Sequence, residues 1–141
     1  MTKLVKIPES VSLAIHSMAI LAGQADEVKT TREIADSLGA SSAHLAKVLK
    51  TLEHMGYVSS QRGPSGGFRI AVDPDGITLM EIYQAMEGPL QTGGCLLATP
   101  ICGGDRCVFG ETIHALETQF RQNLERTRLS ELAETMGVTS A

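Results

Sequence analysis

The 141-residue sequence predicts a mainly α-helical chain with one small β-hairpin, arranged in three consecutive parts. Three observations predict it. Apolar residues recur at helical spacing in stretches closed by glycine, two short β-prone runs flank RGPSGG, and all three cysteines crowd into CLLATPICGGDRC ahead of a last long periodic segment. A chain of this length suits one compact unit around one core, with an appended oligomerisation element.

The elements follow in order. Pro8 to Gly23 reads as a helix, because proline suits a first turn, Val11, Ile15, Met18 and Leu21/Ala22 share a face, and Gly23 can close the end. After the polar loop GQADEVK, Thr30 stands three residues before Glu33, the spacing of a capping box, and Ile34, Ala35 and Leu38 supply the apolar stripe of a short helix stopped by Gly39. Ser41 or Ser42 caps the next helix, whose Leu45, Val48, Leu49 and Leu52 face inward and which Gly56 terminates. Two helices joined by so tight a turn predict a helix-turn-helix. YVSSQ and FRIAV then form a hairpin across the proline-glycine turn, which makes it a wing.

Thr78 and Glu81 make a second capping box opening TLMEIYQAME, ended by Gly88 and Pro89. From Leu90 to Cys107 no period survives, and a segment of that length needs something to order it. Beyond it, Phe109, Ile113, Leu116 and Phe120 recur at four-three-four spacing, with Asn123 and Thr127 on the next seam positions. This is a narrow apolar seam, either a short coiled coil between two chains or a helix folding back on its own domain. SELAETMG adds a final short helix. The predicted architecture is therefore a winged helix-turn-helix domain over residues 1–88, a cysteine-containing loop over 89–107, and a long C-terminal dimerisation helix with its cap over 108–141.

The formal net charge is −4, but the charges are unevenly placed. Lys29 to Arg69 holds six bases against three acids, whereas ten acids face four arginines from Ile70 onward. The only long apolar run, Val11 to Ala22, is interrupted by Ser12, His16 and Ser17 and has neither a basic lead nor a cleavage site, so it reads as neither signal peptide nor membrane span. An odd number of thiols without an export signal points to the reducing cytoplasm and to metal or redox chemistry.

A helix is about as wide as the major groove, so the first turns of the second helix of this motif would meet base edges there. Ser41, Ser42 and His44 lie in those turns. Lys47 suits guanine and Lys50 suits phosphate. Arg62, at the start of the wing turn, could place a guanidinium in the adjacent minor groove, and the glycines beside it either admit a phosphate or simply satisfy a turn needing positive φ. The candidate DNA-contacting set is Thr31, Ser41, Ser42, His44, Lys47, Lys50, Arg62, Ser65 and Gly66.

Cys95, Cys102 and Cys107, at spacings of seven and five, fall short of a closed zinc site, which takes four ligands and pairs cysteines more closely. An iron–sulfur cluster tolerates irregular backbone, and Gly103 and Gly104 would leave amide groups free to point at sulfur. By spacing alone, cluster, zinc and metal-free thiol chemistry all remain open. A thiol redox enzyme would need a resolving cysteine beside a low-pKa one, and the chain has no CxxC and no catalytic histidine spacing.

RGPSGGFRIA, ITLMEIYQAMEGPL and CGGDRC, followed by a long helix ending in LSELAE, together resemble the Rrf2 family of bacterial transcription regulators over nearly the whole chain. The resemblance implies a homodimeric winged-helix regulator of a double-stranded DNA operator, acting as a repressor, with no membrane and no small-molecule substrate. Many members carry a 2Fe-2S or 4Fe-4S cluster that governs DNA affinity. It makes Cys95, Cys102 and Cys107 the cluster ligands, residues 41–50 the recognition helix, and Arg62 the minor-groove contact. For the fourth ligand it offers Glu9, Ser12 or His16 of the partner subunit. Gly110 stands where some members have a ligating histidine, His114 is expected on the helix surface, and Ala46 occupies a position where one member has a base-reading glutamate. Other members lack a cluster and respond through thiols or a partner enzyme.

Overall fold

The structure, a computed structural model, describes residues 6–91, 95–102 and 107–137. Its centre is α1 (Glu9–Gly23), which Pro8 leads into rather than joins. The expected single apolar stripe is too narrow an account of this helix. Leu13, Ala14, Ala19 and Ile20 are buried as well as Val11, Ile15, Met18 and Leu21, because other elements pack around α1 on several sides. A helix enclosed in this way has no face to give to water and shows little periodicity.

Ser17 is fully buried on α1, and its hydroxyl has no hydrogen-bond partner among the described residues. A buried hydroxyl without a partner carries its whole desolvation penalty. Ser17→Ala is therefore expected to stabilise the fold by about 1 kcal/mol, measured as a higher denaturant midpoint and a Tm raised by several degrees.

α2 (Thr31–Leu38) begins with the expected capping box. Thr30 Oγ1 accepts from the Glu33 N–H at 3.1 Å, and Glu33 Oε2 accepts from the Thr30 N–H at 2.8 Å. Gly39 ends the helix at φ 63°, a left-handed conformation that glycine adopts without strain. Of the two candidate caps for α3 (Ser42–His54), it is Ser41 that serves, accepting from the His44 N–H at 3.3 Å. Leu45, Val48, Leu49 and Leu52 are all buried against the other helices, as their spacing predicts.

β1 (Val58–Gln61) and β2 (Gly67–Ile70) pair antiparallel, from Val58 opposite Ile70 to Gln61 opposite Gly67. Lys29, in the loop before α2, adds a further bridge to this hairpin, with Lys29 N–H to Phe68 O at 2.9 Å and Phe68 N–H to Lys29 O at 2.8 Å. The wing is thereby stitched to the helix-turn-helix at its first helix as well as its second. Its glycine explains how. Gly67 has φ 153°, and a Cβ there would stand 2.4 Å from Lys29 O.

α4 (Leu79–Glu87) opens on the second capping box, Thr78 with Glu81. The turn before it pairs with the joint between the last two helices: Leu79 N–H donates to Thr127 O and Leu129 N–H to Ile77 O, both at 3.0 Å. α6 (Leu129–Thr135) then packs on α1, placing Leu129 and Ala133 in the same core as the amino-terminal helices.

α5 (Gly110–Arg126) answers the question its seam left open in two ways. Its carboxyl end folds back on its own domain through Leu124, which is buried, whereas Asn123, the expected seam position, is exposed. Its amino end does not, for Phe109 and Leu116 remain 56% and 46% exposed. Among the described residues, no helix is long and apolar enough to cross a membrane.

Candidate functional site

The buried stripe of α3 leaves a polar face outward. Ser41, Ser42, Lys47 and Lys50 are exposed on it, and His44 is half-buried. Ser41 is partly spent as the helix cap. Thr31, at the first position of α2, is half-buried beside the capping Thr30. Two contacts that periodicity does not announce hold this face in place. Ser60 Oγ on β1 hydrogen-bonds Glu53 Oε1 near the end of α3, so helix and wing are joined by side chains as well as by packing. At the other end, Glu9 Oε2 lies 3.6 Å from His44 Nδ1.

Arg62 and Ser65 are exposed around the wing turn. Gly66 closes that turn through its N–H to Gly63 O at 2.9 Å, and a Cβ on it would meet Gln61 O at 2.4 Å and Gly63 O at 2.8 Å. Gly66 and Gly67 are thus required by the turn and by the approach to Lys29 respectively, whatever else they meet.

The cysteine segment is different in kind. Cys95 is half-buried, Cys102 and Cys107 are exposed, and all three are free thiols. Leu96, Leu97 and Ile101 around them are 71%, 50% and 80% exposed. An apolar run so uncovered has no core of its own to order it. The segment is anchored at its start, where Arg121 Nη2 on α5 donates to Leu90 O at 3.0 Å. Among the described residues, no three Cys, His, Asp or Glu side chains are gathered closely enough to hold a metal. Gly103 and Gly104, with their expected amide contacts to sulfur, lie outside the described residues. The donor chemistry of three free thiols fits an iron–sulfur cluster.

Of the candidate fourth ligands, Glu9 is exposed and directed to His44, while Ser12 and His16 are half-buried on α1. His16 Nδ1 is 2.7 Å from the Ser12 carbonyl oxygen, one turn back. A carbonyl oxygen only accepts, so Nδ1 donates to it, and Nε2 is the ring nitrogen turned away from this bond. His16 lines a cavity of about 220 Å³ with Ser12, Leu13 and Leu38. His114 is exposed on α5, as expected.

A helix-turn-helix with an attached wing, a basic outer face on its second helix and a long helix following is the architecture of winged-helix DNA-binding proteins. The chain belongs to the Rrf2 family, described as iron-dependent transcriptional regulators, whose model matches residues 7–135. It is 32% identical over 84 residues to the HTH-type transcriptional regulator NsrR of Bacillus subtilis, a match covering 55% of this chain and 58% of that one. It is 28% identical over 100 residues to the HTH-type transcriptional regulator IscR of Aliivibrio salmonicida, covering 71% and 60%. The chain thus spans about three fifths of the length of each relative. Among solved structures, it resembles CymR, the global cysteine regulator of B. subtilis, with a TM-score of 0.72 and 25% identity over 94% of this chain and 98% of that one.

Proposed function

We propose that the chain is a cytoplasmic homodimeric repressor whose affinity for its operator is set by an iron–sulfur cluster held by Cys95, Cys102 and Cys107. The observation that carries this reading is the segment from Leu90 to Cys107: three free thiols among uncovered apolar side chains, anchored by Arg121 at one end and α5 at the other. The iron dependence stated for the family agrees with it. When bound, a cluster supplies a centre that changes charge or falls apart on reaction with oxidants or nitric oxide.

The chain's own residues do the rest. His16, whose ring is held through Nδ1 by the Ser12 carbonyl oxygen, is the proposed fourth ligand, supplied to the cluster of the partner subunit. The exposed amino end of α5, with Phe109 and Leu116, supplies the apolar surface for a second copy. Two recognition helices then meet half-sites about one helical turn, roughly 34 to 36 Å, apart. A cluster bound between α4 and α5 would set the angle of α5 to the winged-helix domain, and with it the spacing of those helices.

Anaerobic purification tests this reading. Brown protein containing iron and inorganic sulfide, whose operator affinity changes when the cluster is removed, is the expected result. Operator binding that is identical with and without iron and sulfide would remove the sensing role. On the DNA side, Lys47→Ala is expected to weaken operator binding by about 1 to 3 kcal/mol with an unchanged Tm, since Lys47 is exposed.

A second reading draws on the three free thiols and on the likeness to CymR, a cysteine regulator: regulation by direct oxidation of the cysteines or by a docked partner protein, with no metal. In that case iron-free protein responds to mild oxidation in its DNA affinity, and reduction restores it.

A further inference from the structure

We propose that Arg121 is a positioning residue for operator binding, a strut that fixes the angle at which α5 leaves the winged-helix domain and so sets the separation of the two recognition helices in the dimer. The inference rests on the dimeric, operator-binding reading above and on no particular occupant of the cysteine segment. Arg121 is half-buried on α5, and its Nη2 donates to the Leu90 carbonyl oxygen at 3.0 Å. A hydrogen bond from a guanidinium is stronger than one between neutral groups. Its acceptor is a fixed point on the domain. Leu90 packs against the core, the Gly88 N–H donates to Gln84 O at 2.8 Å, and Ser10 Oγ donates to Glu87 Oε1 at 2.8 Å, which holds the end of α4 to α1. Pro89, between Gly88 and Leu90, has one backbone torsion locked by its ring.

A helix held at one place can pivot, and a helix held at two cannot. The second place is the far end of α5, where Leu79 N–H donates to Thr127 O and Leu129 N–H donates to Ile77 O. The last turns of α5 are thus pinned to the start of α4 at Thr127 and to the residues just past its end at Arg121, with Phe120 and Leu124 packed on the core. Ahead of them the helix continues to Gly110, and Leu116 on that stretch is 46% exposed. Without the strut, the pin at Thr127 becomes a pivot. From there to Gly110 the helix runs about 25 Å, so a tilt of about 10° carries its far end about 4 Å, comparable with the rise of one base pair, about 3.4 Å. That is enough to change which half-site spacing fits. Leu90 also opens the cysteine-containing segment, so a change of shape there reaches α5 through this bond.

The test compares wild type, Arg121→Met, Arg121→Lys and Lys47→Ala as full-length, anaerobically purified protein. Methionine keeps an unbranched apolar stem and removes every donor, whereas lysine restores a charged donor. The first measurement is the distribution of distances between nitroxides in the two subunits, carried on an unnatural side chain in place of Ser59, which is exposed on β1. The second is affinity for duplexes in which the two halves of the wild type's selected operator stand one base pair closer or farther apart at each step, with a single half-site as reference. Wild type is expected to show a narrow distribution and one preferred spacing. Arg121→Met should broaden the distribution and lower the preference for that spacing about tenfold, the factor carried by one hydrogen bond from a charged group. Its affinity for the single half-site and its two-chain mass should remain those of the wild type, and Arg121→Lys should recover part of both losses. A merely structural role would lower the Tm and move neither readout. An unchanged distance distribution or an unchanged spacing preference in Arg121→Met overturns the proposal. A single-chain mass for wild type brings down the dimer reading, and Lys47→Ala binding every duplex as wild type does brings down the operator reading; either takes this inference with it.

Discussion

Serine in place of Cys102 is expected to leave anaerobically purified protein colourless, with its iron and inorganic sulfide lost and its operator affinity fixed at the metal-free value. The size of the effect follows from the ligand count. The chain has three cysteines, and serine is a poor ligand for iron, so loss of one removes a third of the sulfur ligands that the protein can supply. The same substitution should barely alter the Tm of metal-free protein, because Cys102 is exposed and outside the core. That contrast separates a ligand from a packing residue. Cys102→Ser protein that keeps full iron and sulfide would show that the middle thiol is not a ligand. His16→Ala extends the experiment to the fourth position: lowered cluster stability with an unchanged fold is expected, since the half-buried ring makes its one side-chain-to-backbone bond within α1.

Gly67→Ala should cost about 3 kcal/mol of stability and weaken operator binding tenfold or more. Two penalties fall on one atom. The backbone at φ 153° is one that alanine rarely adopts, and the added Cβ would lie 2.4 Å from Lys29 O and 2.6 Å from Lys29 C. Backbone on both sides cannot move aside as a flexible side chain would. The bridge between Lys29 and Phe68 must open, and the wing bearing Arg62 shifts away from α2. Denaturant midpoints measure the stability loss, and faster amide exchange at Lys29 and Phe68 locates it. Gly63→Ala is the comparison. It strains a positive φ of 105° but meets nothing within 4 Å, so its effect should be smaller. Equal effects from the two would mean that turn strain, rather than the approach to Lys29, governs this wing.

Much of the fold was legible because its signals are local. Thr30 with Glu33 and Thr78 with Glu81 start helices where their spacing says, since a capping box is satisfied within four residues. Gly39 ends α2 for an equally local reason, and the apolar stripe of α3 is buried as its spacing implies. Legibility fails where one element's environment is made by several others. α1 is enclosed rather than one-sided, and Leu124 rather than Asn123 is the inward residue of α5, both because distant segments converge there.

The candidate site divides along the same line. Residue types and spacing single out Lys47, Arg62 and the three thiols, but they say nothing of Glu53 meeting Ser60, Glu9 meeting His44, or Ser10 meeting Glu87. Those pairs join residues from different elements, and no short-range pattern encodes them. The wing glycines were visible as turn formers, yet the need for Gly67 is apparent only once Lys29 lies against it.

Taken alone, the sequence determined the helices, the hairpin and the thiol-bearing connection, because capping, turn chemistry and periodicity act between neighbours in the chain. Tertiary structure decided which faces are buried and how the wing is bound to the helix-turn-helix. Those are relations between surfaces brought together by folding, and their energies depend on distances that separation along the chain does not set.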